Sequence, residues 1–474
     1  MQRPLILLIL PALLFLSACS LIPEYHQPEA PVPKDWPQGP AYPESLDEKV
    51  TGAIPWESFF TDPKLQQVIQ AALDNNRDLR IAALSVEKMR ILHHIQRSDL
   101  LPSVHGGARG SQQRVPADLS STGRSMTAEQ YGLELGITAW ELDFFGRLRS
   151  LEQRALEEYL ATEQARRSVQ LMLISEVARA YLTLAMDREN LHLASSTLKA
   201  QEASQALIRR RVEVGLAPEL DLRQVQTRVE SARLDVARFT ELTAQDLNAL
   251  HLLVGRPVDE TLLPENLSSL HPLKEGGFGT PSEVLLQRPD ILQAESMLKA
   301  AHADIGAARA AFFPRITLTS SIGTASSELS GLFRSGSDTW SFSPSISVPI
   351  FHPRTWSGLE ASKVEQEIAV ARYERAIQAA FRDVADALAR KGTLGDQMKA
   401  QESLVEAFSH TYRLSNARYE KGSDTYLSVL DAQRSLYSAQ QGLIATRLAR
   451  LANQVQLYAA LGGGAGEMFP EKPE

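Results

Sequence analysis

Tyr131-Gly-Leu-Glu-Leu-Gly-Ile-Thr-Ala139 decides the fold of this chain. Tyr131, Leu133, Leu135, Ile137 and Ala139 take one face of an extended segment and Gly132, Glu134, Gly136 and Thr138 the other, because strand side chains alternate with a period of two. Three further stretches carry the same period. Val104, Gly106, Ala108 and Gly110 alternate with His105, Arg109 and Ser111, a weak signal by itself; Ile316, Leu318 and Ile322 alternate with Thr317, Thr319 and Ser321; Trp340, Phe342, Ile346, Val348 and Ile350 share a face. The expected strands are about 103–112, 130–141, 315–324 and 339–350, paired across polar, Gly/Ser-rich loops at roughly 113–128 and 324–338. Two β-hairpins resting on a soluble core satisfy this pattern, and so do strands long enough to cross an outer membrane. In the second case four strands do not close a barrel, since bacterial barrels begin at about eight. An open edge in lipid leaves backbone groups unpaired, so several chains must share one barrel.

Around the strands the period changes to that of helices. Between Arg147 and Val214 there is neither proline nor glycine, which predicts one helix of about 68 residues, or ~100 Å at about 1.5 Å per residue. Leu148, Leu151, Ala155, Tyr159, Val169, Leu173, Val177, Ala180 and Leu184 give it an apolar seam. Gly215 stops it and Pro218 opens a return helix to about Val254. A shorter helix runs from Asp62, an N-cap followed by Pro63, to about Leu100, with a break near Asn75-Asn76.

All of this occurs twice. An offset of 212 (290 minus 78) pairs Asp78 with Asp290, Arg97 with Arg309 and Pro102 with Pro314, and an offset of 207 (422 minus 215) pairs Arg211 with Arg418, Gly215 with Gly422, Leu220 with Leu427 and Gly255 with Gly462. The chain is therefore a duplicated unit. The expected divisions are repeat 1 at 62–255, a proline-punctuated connector at 256–281, repeat 2 at 282–462 and a tail at 463–474. In repeat 2 an Ala-rich helix is expected from Ser282 to Phe313. A long helix from about Thr355 to Lys421, interrupted near Gly392 and Gly395, should precede a return helix from Asp424 to Leu461.

At the N-terminus Arg3 precedes an apolar run from Leu5 to Leu16, too short to cross a bilayer, which reads as an export signal over residues 1–18. Leu16-Ser17-Ala18-Cys19 looks like a bacterial lipobox, whose cysteine is acylated; an incidental cysteine beside an ordinary cleavage site is the alternative. Cys19 is the only cysteine, so no disulfide framework exists. Ser20 at the next position fits the usual pattern for outer-membrane delivery. Residues 19–61 form an extended N-terminal segment, with eight prolines between 20 and 60.

Net charge is −8 and no basic cluster of the phosphate-neutralising kind appears, which disfavours nucleic acid as a partner. Nucleophile elbow, zinc motif and Walker loop are all missing. His93 and His94 are adjacent and face different sides of a helix, which suits packing better than metal binding. Neither enzymatic activity nor a cofactor is expected.

The strand pairs, the glycine-stopped helices, the lipobox and the duplication together resemble the outer-membrane factor family, the TolC-like exit ducts of tripartite efflux pumps, and within it the OprM-type lipoproteins. Three stretches carry the likeness most specifically: Trp140-Glu-Leu-Asp-Phe-Phe-Gly-Arg147, Ile305-Gly-Ala-Ala-Arg-Ala-Ala-Phe-Phe-Pro314 and Tyr426-Leu-Ser-Val-Leu-Asp-Ala-Gln-Arg434. The resemblance implies a mostly α fold with a membrane β-barrel portion: a homotrimer sharing a 12-stranded barrel in outer-membrane lipid and a 12-helix α-barrel through the periplasm. It also implies a periplasmic adaptor, an inner-membrane RND-type transporter and passive conduction of drugs and other small molecules.

Residue by residue, Leu427, Asp431 and Arg434 match the family's periplasmic gate, and Tyr419 and Asp221 match positions that link the hairpins in the closed state. Arg211, Gly215, Arg418 and Gly422 match the adaptor-docking tips. Spacing alone makes Asp431 and Arg434 an exposed helix pair. Asp424 stands where some relatives place an arginine. A lipid-anchored periplasmic coiled-coil scaffold without a pore, and a duct for type I protein secretion, are the rival readings.

Overall fold

A computed structural model describes residues 20–42, 54–271, 273 and 285–463, so Cys19 and the export signal lie outside the described residues. Seven helices of ten residues or more and four strands are described: α1 Pro63–Asn75, α2 Arg77–Ser98, β1 Val104–Val115, β2 Met126–Glu141, α3 Arg147–Glu213, α4 Glu219–Val254, α5 Pro289–Ala310, β3 Arg315–Ser326, β4 Asp338–Ser347, α6 Pro353–Glu420 and α7 Tyr426–Ala460. The chain divides into two compact units, and neither coincides with a repeat. Of the described residues, one unit comprises those up to Pro28, within Ser85–Thr162 and within Gln293–Tyr373, and the other those within Glu29–Leu84, Glu163–Leu292 and Glu374–Glu474.

The first unit holds a single antiparallel sheet in the order β1-β2-β3-β4. Its register places Val104, Gly106 and Ala108 beside Ile137, Leu135 and Leu133, then Leu135 beside Ile322, then Ile322 beside Trp340 and Ile316 beside Ile346. One face is thus largely apolar, broken by Ser320 between Ile137 and Phe342, and it is exposed: Trp340 is 77% accessible. The opposite face carries His105, Arg109, Glu134, Thr317, Thr319, Ser321, Ser341 and Ser343, as the two-residue period requires.

Alternation fails at one point in β2. Ile137 pairs with Ser320, but the next pairing is Trp140 with Leu318, so a bulge consumes the residues between. Ala139 there has φ 52°, the only described non-glycine residue in the left-handed region, and its N–H donates to Thr319 Oγ1 at 3.1 Å. Ala139 therefore does not simply continue the apolar row. The bulge resets the register so that Trp140 lies beside Leu318, with its indole N–H donating to the Leu100 carbonyl at 3.3 Å. Glu141 is left to accept from Nε and Nη2 of Arg147 at 2.8 Å each and to face Arg315 Nε at 2.9 Å. Val348 and Ile350 are likewise not strand residues, since β4 stops at Ser347 before Pro349.

Alanines of α5 are buried as their size predicts, among them Ala300, Ala303 and Ala310. Gly306 is required there: a Cβ would stand 2.5 Å from Ile22 and 2.7 Å from Ser150 Oγ. Ser282, the expected start, lies outside the described residues, and the described helix begins at Pro289. A turn closed by Arg288 N–H to Leu285 precedes it, and proline at the first helical position costs no hydrogen bond. Its last turn ends at Ala310, short of Phe313. His93 packs with its Nε2 donating to the Glu152 carboxylate at 2.9 Å.

The second unit is helical. Its core joins Phe60, Val68, Ile69, Ile174, Val177, Tyr181, Leu184, Leu250, Leu263, Val455 and Tyr458, with Phe59 stacked on Tyr458 at 4.2 Å. Leu173, Val177 and Leu184 of the expected seam are buried, and so is a second row, Ile174, Ala178, Tyr181 and Ala185, which widens the seam into the broad stripe of a helix packed on more than one side. The α1–α2 break at Asn76 is built by side chains: Asn76 Nδ2 donates to the Leu253 carbonyl at 2.8 Å, and Oδ1 accepts the Leu79 N–H at 2.9 Å. Asp62 caps α1 by accepting from the Lys64 and Leu65 N–H groups, each at 3.0 Å.

Contrary to the expected interruption, α6 runs unbroken through Gly392 and Gly395. Gly392 serves the N-terminal segment instead. A Cβ there would meet the Ala41 carbonyl oxygen at 2.3 Å, and Trp36 of the same segment stacks on Phe381 of α6 at 5.2 Å. Close approach of another backbone, not a helix break, explains that glycine.

Candidate functional site

The site residues named from sequence gather at the two helical turns of the second unit. Gly215, at φ 74°, ends α3 with the Leu216 N–H on the Arg211 carbonyl at 2.7 Å and its own N–H on Val212 at 3.0 Å. Gly422, at φ 70°, ends α6 identically, with Ser423 on Arg418 and Gly422 on Tyr419, both at 2.9 Å. These are paired Schellman motifs. Neither glycine has a neighbour within 4 Å of a notional Cβ, so backbone conformation and not space demands them.

Side chains join the two turns. Ile208 and Val225 of the first hairpin form a buried cluster with Tyr426, Val429 and Leu430 of the second, and Val212, Leu222, Tyr412 and Tyr419 pack on it. Arg211 lies over the Tyr419 ring at 5.0 Å, and Tyr419 meets Tyr426 at 5.0 Å. Burial raises the Asp221 carboxyl above its ordinary value while Arg211 opposes the rise. Burial also raises the Tyr419 hydroxyl, with Arg211 lowering it and Asp221 raising it. Tyr419 and Asp221 are thus brought together around Arg211, whose place in the pair the spacing did not reveal. The legible signal was Tyr412 and Tyr419 seven apart, two turns along one helix face.

Asp424 is used within its own hairpin. It accepts from the Thr425 N–H and the Ser428 hydroxyl at 2.8 Å each and faces Arg418 Nε at 3.5 Å. The Ser428 hydrogen bond first, then that of Thr425, with Arg418 adding its charge, hold this carboxyl below the usual carboxylate range. An anion at the start of α7 also faces the positive end of the helix dipole.

Along α7, Leu427 is 51% exposed, and Asp431 and Arg434 form an exposed ion pair at 3.4 Å. At the equivalent place in the first hairpin stand Leu220, Gln224 and Thr227, with the Thr227 hydroxyl donating to the Gln224 carbonyl at 2.7 Å. Charge in this stripe belongs to the second hairpin alone.

A sheet with one exposed apolar face, joined to helical hairpins built twice, defines an outer-membrane duct protein. The chain belongs to the outer membrane efflux protein family, whose model matches residues 68–256 and 280–463. It is 49% identical over 451 residues to the probable efflux pump outer membrane protein TtgC of Pseudomonas putida, covering 95% of this chain and 93% of that one. It is 42% identical to the outer membrane protein OprJ of Pseudomonas aeruginosa, covering 96% and 95%. Among solved structures, the open-state MtrE outer membrane channel of Neisseria gonorrhoeae superposes with a TM-score of 0.84 at 38% identity, covering 94% of this chain and 99% of the other. The protein is an outer-membrane component of an efflux system.

Proposed function

We propose that three copies of this chain close one 12-stranded barrel in the outer membrane, continue it as a 12-helix tunnel, and conduct drugs and other small molecules passively to the exterior. The observation that carries this reading is the sheet. Its apolar face is exposed, and β1 and β4 each pair on one side only among the described residues. In lipid, unpaired edges cost several kcal/mol per backbone group, and closure with neighbouring copies removes them; four strands from each of three copies make twelve. A coiled-coil scaffold has no use for such a face. The names of the relatives, efflux pump outer membrane proteins, favour small molecules over secreted protein.

A passive duct needs an energised partner, so the reading includes an inner-membrane RND-type transporter and a periplasmic adaptor docked at the tips that Arg211, Gly215, Arg418 and Gly422 form. Tyr419 and Asp221, with Arg211, latch the hairpins, and Leu427, Asp431 and Arg434 form the periplasmic gate. Three copies of Asp431 about an axis make an acidic ring, attractive to cations and partly neutralised by Arg434. Cys19 carries the acyl anchor.

The test is conductance of the purified protein in planar bilayers, together with heat-modifiable migration on gels and drug accumulation in a deletion strain. A monomer without a water-filled passage refutes the duct. Normal drug accumulation with a lost secreted protein favours the secretion duct instead.

A further inference from the structure

The first hairpin carries two aspartates for which the duct reading has no use. Asp187 lies in α3 and Asp246 in α4, 28 residues before and 31 after Gly215 (215 minus 187, 246 minus 215), so the antiparallel pairing of the helices sets them side by side. Asp187 is 4% exposed, and the two carboxyls lie close enough for each to act on the protonation of the other. Asn190, one turn beyond Asp187 and 7% exposed, donates its amide to Asp187 and leaves its own Oδ1 buried without a partner, as is Oδ2 of Asp246.

Two carboxylates in contact away from water do not both stay ionised; a proton between them turns repulsion into a hydrogen bond. The surrounding charges do not replace that proton. From α4 comes Arg238, which favours an ionised Asp187 but also packs on the Phe239 ring at 4.6 Å. The same helix brings Asp235, an anion, and α7 brings Tyr437, whose hydroxyl is raised by burial first and then by Asp235, with Arg238 opposing. Burial raises Asp187. Burial first, and then the neighbouring Asp187, push Asp246 up to about 7.

The second hairpin provides an internal comparison. The offset of 207 puts Leu394 and Asn453 where Asp187 and Asp246 stand, with Gln397 for Asn190 and Ala445 for Arg238. Leu394 and Asn453 are buried, and Asn453 spends its amide on the Ala387 carbonyl at 3.0 Å. The same helical architecture therefore forms without an ionisable group, and the pair is an addition peculiar to the first hairpin.

We propose that Asp187 and Asp246 hold one proton between them and act as a pH-sensitive clasp of the first hairpin, tying α3 to α4 when protonated and loosening them when both carboxyls ionise. The sign follows from the raised carboxyl. Its stabilisation is complete below the ordinary aspartate range and is lost as pH rises through about 7. Acidity thus acts on one of the two hairpins and not on its counterpart. This inference does not depend on the gate or latch assignments.

Infrared difference spectra of the full-length protein in detergent, taken between about pH 5 and about pH 8, should show a protonated carboxyl band that disappears with a midpoint near 7 and is missing from Asp246→Asn. Hydrogen exchange of the peptides around Asp187 and Asp246, corrected for intrinsic rates, should show opening that rises about tenfold per pH unit below that midpoint relative to Asp246→Asn. If that variant does not accumulate, Asp187→Leu with Asp246→Asn copies the Leu394 and Asn453 pair and serves the same comparison. The clasp is overturned if no carboxyl band titrates in the wild type, or if the variants keep its pH dependence. It is also overturned if magnesium or calcium at fixed pH abolishes the band saturably, which assigns the pair to a cation.

Discussion

Arg211, in the last turn of α3, holds its guanidinium 5.0 Å from the ring centroid of Tyr419, in the last turn of α6. One cation thereby touches both helical turns and also faces Asp221 at the start of the return helix.

Replacing Arg211 by Ala removes a cation–π contact worth about 0.5–1 kcal/mol and the charge that offsets burial of Asp221. The hairpin tips should part more often, and single-channel conductance should rise. Tyr419→Phe keeps the ring under Arg211 and should change conductance much less. Equal effects of the two variants would show that the Tyr419 hydroxyl, and not the ring, does the holding.

Asp431 and Arg434 are an exposed pair at 3.4 Å, so neither contributes more than a few tenths of a kcal/mol to folding. On the proposed gate, their expected effect is on passing ions. Asp431→Ala should lower cation preference, whereas Arg434→Ala should increase it by leaving Asp431 unneutralised. Reversal potentials in asymmetric salt distinguish the two, and unchanged selectivity in both removes them from the conduction path.

Gly215 and Gly255 have nearly the same backbone angles, φ 74° and 77°, in different surroundings. Gly215→Ala meets only the left-handed strain, about 1 kcal/mol. At Gly255 a Cβ would also stand 2.5 Å from the Asn75 carbonyl oxygen, beside the Asn76 hinge. Gly255→Ala should therefore cost at least about 2 kcal/mol more. Thermal denaturation of the detergent-extracted variants measures the difference, and comparable losses would refute the contact.

Ala139 is the residue the bulge adds: without it Thr138 opposes Thr319, while Trp140 stays beside Leu318 and Glu141 beside Thr317, within reach of Arg147 and Arg315. Deleting Ala139 should therefore leave assembled protein on unheated gels. Ala139→Gly keeps the residue count and tolerates φ 52°, and its assembly should match the wild type. Loss of assembled protein in the deletion but not in Ala139→Gly would show that the bulge itself, and not only the pairing on either side of it, is required.

Much of this was readable before any coordinates. Asp62-Pro63 named its own helix start, because capping chemistry is local. Gly215 and Gly422 marked their turns, because only the left-handed conformation matters there. Gly392 misled, since a glycine within a helix signals a weak point or a close neighbour equally well, and the neighbour, Ala41, is some 350 residues away (392 minus 41 gives 351). Ala139 misled for the complementary reason: a bulge is a property of two paired strands and leaves no mark in the alternation of one.

By itself the sequence determined the duplication, the order of helices and strands, the apolar face of the sheet and the conclusion that four strands do not seal a barrel, because periodicity and turn chemistry act over a few residues. Only the tertiary structure decided that Arg211 acts on both Tyr419 and Asp221, that Asp424 serves its own helix, and that Asp187 lies near Asp246. Each of these depends on which side chains the packing of distant helices brings together, and on how much water that packing excludes from charged groups.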